Sequence, residues 1–181
     1  MKDIAFHITD IAENSLRAGA GKVRISVLAE GARLTLVIAD NGCGMSRETI
    51  ARAMNPFYTT RTTRKVGLGL PFLIQNAEQC GGSVSVESVI GEGTEVRAVF
   101  FTDNLDCPPL GDLAGTITLL MTGNPDVNTV FSVSDGNDAF EISTAEVREI
   151  MGGVPIGLPR VSTLVREILE ENISVILGTG A

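Results

Sequence analysis

An aspartate at the end of an apolar run, followed at once by two glycines, is the combination in this sequence best suited to holding a small molecule. The run is RLTLVIA, residues 33–39, which alternates as a half-buried strand does and delivers Asp40 into DNGCGM at 40–45. An ionised carboxylate only accepts hydrogen bonds, so a fixed Asp40 suits the exocyclic amine of a purine. Gly42 and Gly44 leave the backbone free to approach a ring beside it. The same residues also suit an ordinary hairpin or loop turn. A second candidate lies upstream, where His7, Asp10, Asn14 and Arg17 recur at three- or four-residue spacing and share one stripe of a helix. The Asn14 amide oxygen suits a hard cation such as Mg2+, the Asp10 carboxylate suits orienting or deprotonating water, and Arg17 suits phosphate. Such a stripe also serves as a plain solvated face. His7, the only histidine, reads as a packing or hydrogen-bonding residue rather than a nucleophile.

These residues need elements to hold them. Residues 3–18 are expected to form a helix with Ile4, Ile8, Ile11 and Ser15 on its apolar side, closed by the glycines of Ala18-Gly-Ala-Gly. KVRISVLAE (22–30) and ARLTLVIAD (32–40) alternate about Glu30-Gly31 as a hairpin, and Ser46 caps a short helix to Met54. Residues 55–66, NPFYTTRTTRKV, show no period and hold Arg61, Arg64 and Lys65 with no acid among them. Such a basic loop is either a solvated linker or a phosphate-facing lid. GLGL at 67–70 precedes a helix that starts near Pro71 and ends at Gly81 or Gly82. Glycines there let backbone amides face an anion at the positive end of the helix dipole. SVSVESV (83–89), the turn GEGT (91–94) and EVRAVFF (95–101) make a second hairpin.

The totals bound what this machinery serves. At 181 residues the chain suits one domain with an extension. Hydrophobic content of 44% and charged content of 20% suit a globular protein. No apolar run approaches the roughly 18 residues of a membrane span, and no signal peptide is legible at the start, so a cytoplasmic location without a membrane role is expected. The three cysteines, Cys43, Cys80 and Cys107, fit neither a disulfide framework nor a zinc site and are expected to be buried or half-buried thiols. The net charge of −8 is uneven: residues 1–101 carry 11 Lys and Arg against 10 Asp and Glu, residues 102–181 carry 3 against 12. No basic face is large enough for a phosphate backbone, so nucleic acid is excluded as a partner.

Together the segments resemble the GHKL ATPases, the superfamily of DNA gyrase B, sensor histidine kinases and MutL, over about residues 5–101. ENSLRAGA at 13–20 is similar to the N box of MutL, which implies that Asn14 is the Mg2+ ligand. DNGCGM is similar to the first glycine box, implying that Asp40 takes the adenine amine, with Gly42, Gly44 and Met45 beside it. NPFYTTR is similar to the F box of histidine kinases, implying that Phe57 braces the ATP lid with Thr60 and Arg61 near the phosphates. GLGL and GEGT resemble the remaining glycine boxes, implying phosphate contacts at Gly67, Leu68, Gly69 and Leu70 and adenine-pocket support from Thr94. The chain departs from the hydrolysing branches, which place a glutamate where Asp10 stands. It also has Lys65-Val66 where the family has Gly-Thr, which makes Lys65 a substitute phosphate contact.

The expectation is therefore an α/β fold, a two-layer sandwich whose mixed sheet is covered on one face by helices starting near residues 3 and 71. Residues 1–101 form the ATP-binding domain and 102–181 an acidic α+β extension. The tail is expected to hold a helix over 110–124, a hairpin about Asp135-Gly136, a short helix to Met151 and a last helix over 159–177. It either completes the core or offers a docking surface for a protein partner, or a homodimer contact. The resemblance implies ATP and Mg2+ as ligands and a stand-alone protein kinase acting on a separate protein, with Asp10 and Arg61 catalytic. The alternative is an ATP-operated clamp or regulatory module without phosphotransfer.

Overall fold

Asp3 opens the first helix, its carboxylate accepting the amide of Phe6 at 2.7 Å and so meeting one of the donors a helix start leaves unpaired. The computed structural model describes residues 3–55 and 69–178. In chain order its elements are α1 (Ile4–Arg17), β1 (Lys22–Glu30), β2 (Arg33–Asp40), α2 (Arg47–Met54), α3 (Gly69–Gln79), β3 (Ser83–Val89) and β4 (Gly93–Phe101). The tail adds α4 (Leu113–Gly123), β5 (Asn128–Ser134), β6 (Ala139–Ser143), α5 (Thr144–Ile150) and α6 (Pro159–Leu177).

One six-stranded sheet runs β3-β4-β2-β1-β5-β6. Four of its pairings are antiparallel, and β5 lies parallel to β1 in the register Lys22↔Asn128 to Leu28↔Ser134. Strand periodicity of two puts Ile25, Leu36, Ala98 and Phe131 on one face, each at most 1% exposed. Over that face α3 packs on β3 and β4, α1 on β1 and β2, α4 on β5, and α6 on β5 and β6. The α/β sandwich expected from the sequence is the observed architecture.

The tail does not stand off from this sheet. Its strands prolong the sheet past β1, α4 packs beside α1, and Phe131, Ile117 and Leu169 belong to the same buried cluster as Ile8 and Ile25. The amides of Ile4 and Ala5 bond the carbonyls of Pro109 and Leu110, so the segment leading into α4 also ties down the start of α1. Helix α4 begins three residues later than its apolar run suggests. Asp112 caps it by accepting the amide of Gly115 at 2.8 Å.

Two cysteines match the expectation of buried or half-buried thiols and one corrects it. Cys80 is buried and Cys107 half-buried, but Cys43 is exposed. Its backbone is held from both sides, amide to the Ala18 carbonyl and carbonyl to the Gly91 amide, which leaves the side chain facing out. Burial, with the Cys80 thiol beside it and then Asp103, pushes the Cys107 thiol up to about 11.

Candidate functional site

The alternation of β2 runs out at Asp40, where the chain turns sharply enough for the carboxylate to fold back on its own loop. Asp40 Oδ1 accepts the Gly42 amide at 2.8 Å and Oδ2 accepts the Ser15 hydroxyl at 2.6 Å. Both are hydrogen bonds to a charged acceptor, the stronger kind, and they fix the group from two elements. A carboxylate has about four acceptor positions, so capacity remains for a donor supplied by a ligand.

The loop after Asp40 is fastened to three neighbours. Asn41 exchanges bonds with Lys22, its side-chain oxygen accepting the Lys22 amide at 2.8 Å. The Cys43 amide reaches the Ala18 carbonyl at the end of α1. The Met45 amide donates to Ser88 Oγ at 2.7 Å. Ser88 has one proton, which goes to the Gly93 carbonyl at 2.8 Å, so Thr94 donates its own hydroxyl to Ser88, also at 2.8 Å. Thr94 stands opposite Asp40 in the β2–β4 register. The turn between β3 and β4 thereby holds the loop at 40–46 in place.

The glycines are required by these contacts. Gly44 has φ +65°, and a Cβ there would lie 2.0 Å from the Val89 carbonyl oxygen; a Cβ on Gly42 would lie 2.8 Å from that of Ala18. Only residues without a side chain let the loop pass between α1 and the β3–β4 turn.

Along α1, Asp10 and Asn14 follow one another at helical spacing, and Ser15 beside Asn14 is the residue that reaches Asp40. Asp10 lies against the first residue of α3: a Cβ on Gly69 would sit 2.8 Å from the Asp10 Cβ and 2.9 Å from its Oδ2. Asn14 is exposed, its Oδ1 3.4 Å from an Arg17 nitrogen, and Arg17 pairs with Glu13 at 2.7 Å. That pair is solvent-exposed on both sides and holds Arg17 only loosely. His7, expected as a packing residue, is fully buried and receives the Asn76 amide on Nε2 at 2.8 Å, pinning α3 to α1.

The structure thus brings Asp10, Asn14, Arg17, Asp40, Gly42, Gly44, Met45, Gly69, Leu70 and Thr94 onto α1, the loop beside it, the start of α3 and the β3–β4 turn. Leu70 is buried in the core. Phe57, Thr60, Arg61, Lys65, Gly67 and Leu68 lie outside the described residues. Sequence reasoning missed Ser15 and Ser88, although both carry a signal. Ser15 falls in phase with Ile8 and Ile11 on the buried side of α1, and Ser88 in phase with Val84 and Val86 on the inner side of β3. A polar residue in an apolar phase needs a partner, and each has one at the loop.

Residues 3–104 match the family described as histidine kinase-, DNA gyrase B-, and HSP90-like ATPase. The sensor histidine kinase YxdK of Bacillus subtilis is 30% identical over 108 residues, covering 56% of this chain and 33% of that protein. Sporulation kinase D of Bacillus subtilis is 34% identical over 91 residues, 49% of this chain and 18% of its own length. The match with sensor kinase CckA of Brucella abortus extends into the tail, at 26% identity over 169 residues, 81% of this chain and 18% of that protein. The chain spans a third or less of the length of these relatives. A crystal structure of the N-terminal domain of a DNA repair protein shares the fold, with a TM-score of 0.55 at 14% identity over 86% of this chain and 59% of that one. No helix among the described residues is long and apolar enough to cross a membrane.

Proposed function

This chain belongs to the histidine kinase-, DNA gyrase B-, and HSP90-like ATPase family, and from that premise we propose that it binds ATP with Mg2+ and transfers the γ-phosphoryl group to a separate protein. The observation that carries the reading is the Asp40 carboxylate, held at the end of β2 by a hydroxyl from α1 and an amide of its own loop. A carboxylate so fixed is preorganised to accept the adenine amine, and Thr94 across the strand pair supports the same pocket.

The residues present fit a magnesium ion that arrives with the nucleotide. Among the described residues no group of three His, Cys, Asp or Glu is arranged to hold a metal by itself. Mg2+ commonly takes one or two protein oxygens and completes its shell with phosphates and water. The exposed Asn14 amide oxygen is a donor of that kind, and when bound the ion would offset charge on the phosphates. Arg17, one turn on, exchanges its exposed Glu13 pair for a phosphate oxygen, and Arg61 and Lys65 supply further positive charge. The nucleophile of the acceptor forms a new bond to the γ-phosphorus as the bond to the bridging oxygen of ADP breaks. The proton of the acceptor passes to Asp10.

Incubating the purified chain with γ-labelled ATP, Mg2+ and cell extract tests this. Label on a protein band is expected, and its loss with Asn14→Ala or Asp40→Asn. Acid-labile label assigns a histidine acceptor, acid-stable label a serine or threonine. Absence of transfer, together with an ATP-dependent change in sedimentation, would replace the kinase by a nucleotide-operated switch.

A further inference from the structure

The far edge of the sheet carries a second surface of different chemistry, and it needs nothing from the nucleotide loop. Between β6, α5 and α6 lies a groove of about 290 Å³. Its floor is Ile142, Val147, Val161, Val165 and Ile168, and its lips are Ile150, 76% exposed, and Leu164, 44% exposed. Large aliphatic side chains left open to water beside one another mark a place where something else packs.

The rim says what. Glu146 and Glu149 line the groove beside Glu141, which pairs with Arg24 of β1 at 3.0 Å, and Glu167 stands exposed on α6 between Leu164 and Ile168. The tail has three cations. Arg148 donates to the Pro125 carbonyl and Arg166 pairs with Asp112 and Glu170, which leaves Arg160 at the start of α6 as the one cation near the groove without such a contact among the described residues. Among the described residues no cation pairs with Glu146, Glu149 or Glu167, so these three carboxylates set an acidic edge around an apolar floor.

Three occupants conflict with this. A second copy joined by a two-fold axis would set the glutamate rim against itself, like charge on like charge. A small metabolite needs convergent polar groups to orient it, and the polar side chains here are carboxylates at the edge. Nucleic acid is repelled by the same acids. A helix with an apolar stripe and Lys or Arg on its flanks meets every requirement: its stripe at i, i+3 or i+4, and i+7 enters between Ile150 and Leu164, and its flanks meet Glu146, Glu149 and Glu167.

We infer that this groove docks a basic amphipathic helix of a partner protein. The inference stands apart from phosphoryl transfer, since every residue lining the groove comes from Glu141 onward and none belongs to the loop at 40–46.

The test uses the full chain and two fluorescent synthetic 18-residue helices of identical leucine pattern, one with lysine and one with glutamate at every polar position, followed by anisotropy. The lysine peptide is expected to bind at micromolar concentration and the glutamate peptide not to bind. Ile150→Glu and Leu164→Glu should each weaken binding about tenfold or more although they add negative charge, as truncation of a buried anchor does. Leu105→Glu, at a fully exposed site elsewhere, should leave it unchanged. Circular dichroism and ATP affinity check that each variant is folded, and chemical-shift mapping on the unaltered chain should place the peptide on α5 and α6. Equal binding of both peptides, parental affinity in Ile150→Glu, or shifts outside the groove would overturn the proposal. Self-association of the unaltered chain that Ile150→Glu abolishes would also overturn it, in favour of a homodimer.

Discussion

The loop at 40–46 and the groove beside β6 are built on opposite plans. Around Asp40 the polar atoms are held in two directed groups, Ser15 and the Gly42 amide on the carboxylate, and the Met45 amide, Thr94 and the Gly93 carbonyl on Ser88, with bonds at 2.6–2.8 Å. The groove is apolar, and its acids stand at the edge. A surface of the first kind selects by direction, because each donor and acceptor has one place to go. A surface of the second kind selects by shape and sign of charge and tolerates variation in what it covers. Both rest on one continuous core, so damage to the core must reach both, while damage to either surface should leave the other intact.

The largest effect tests that shared core. Phe131→Ala, in β5 of the tail, is expected to cost about 3–5 kcal/mol and to lower a single calorimetric transition. Two transitions, with the earlier residues melting at the parental temperature, would break the continuity. Gly44→Ala comes next: collision with the Val89 carbonyl and a left-handed backbone should cost about 1–3 kcal/mol in chemical denaturation, with no change in peptide binding at the groove. Asp40→Asn should leave the melting temperature nearly unaltered yet weaken ATP by roughly 10- to 150-fold in calorimetric titration, as loss of a hydrogen bond to a charged group of about 1.5–3 kcal/mol implies. Ser15→Ala removes only the tether of that carboxylate and should weaken ATP about fivefold, near 1 kcal/mol, again with the groove untouched.

The last effect is chemical and leaves both surfaces and the stability of the fold unchanged. A thiol held up near 11 is about 0.1% thiolate at pH 8, so Cys107 should alkylate about a hundredfold more slowly than an unperturbed cysteine. Its rate should keep rising to pH 10, where an ordinary thiol has levelled off. Mass mapping after brief iodoacetamide treatment should find the exposed Cys43 modified first.

Local pattern carried much of this molecule. Each strand and helix of the first hundred residues that falls within the described part sits within a few residues of where periodicity, glycines and caps place it, because alternation and capping are short-range properties. The role of the tail was harder to read. That β5 would lie parallel to β1, across more than a hundred residues, is a decision of global packing, and no spacing within either strand announces it. In the loop, Asp40 was legible from its place after an apolar run. Ser15 and Ser88 were hidden because their hydroxyls sit in positions where periodicity expects only hydrocarbon. The glycines at 42 and 44 were legible as necessary, but their reason lies in Ala18 and Val89, which no window around residue 40 contains.

The pairing of β1 with β5 also sets an order of events during synthesis. When the ribosome has delivered β1 through β4, one flank of β1 still shows its unpaired amides and carbonyls, and its apolar side waits for Phe131 and α4. That flank is covered only once Asn128–Ser134 have emerged. Until then the nascent chain holds a bare strand border of the kind that recruits other chains. Its final collapse is a late closure over a long span of polymer, a slow kind of step.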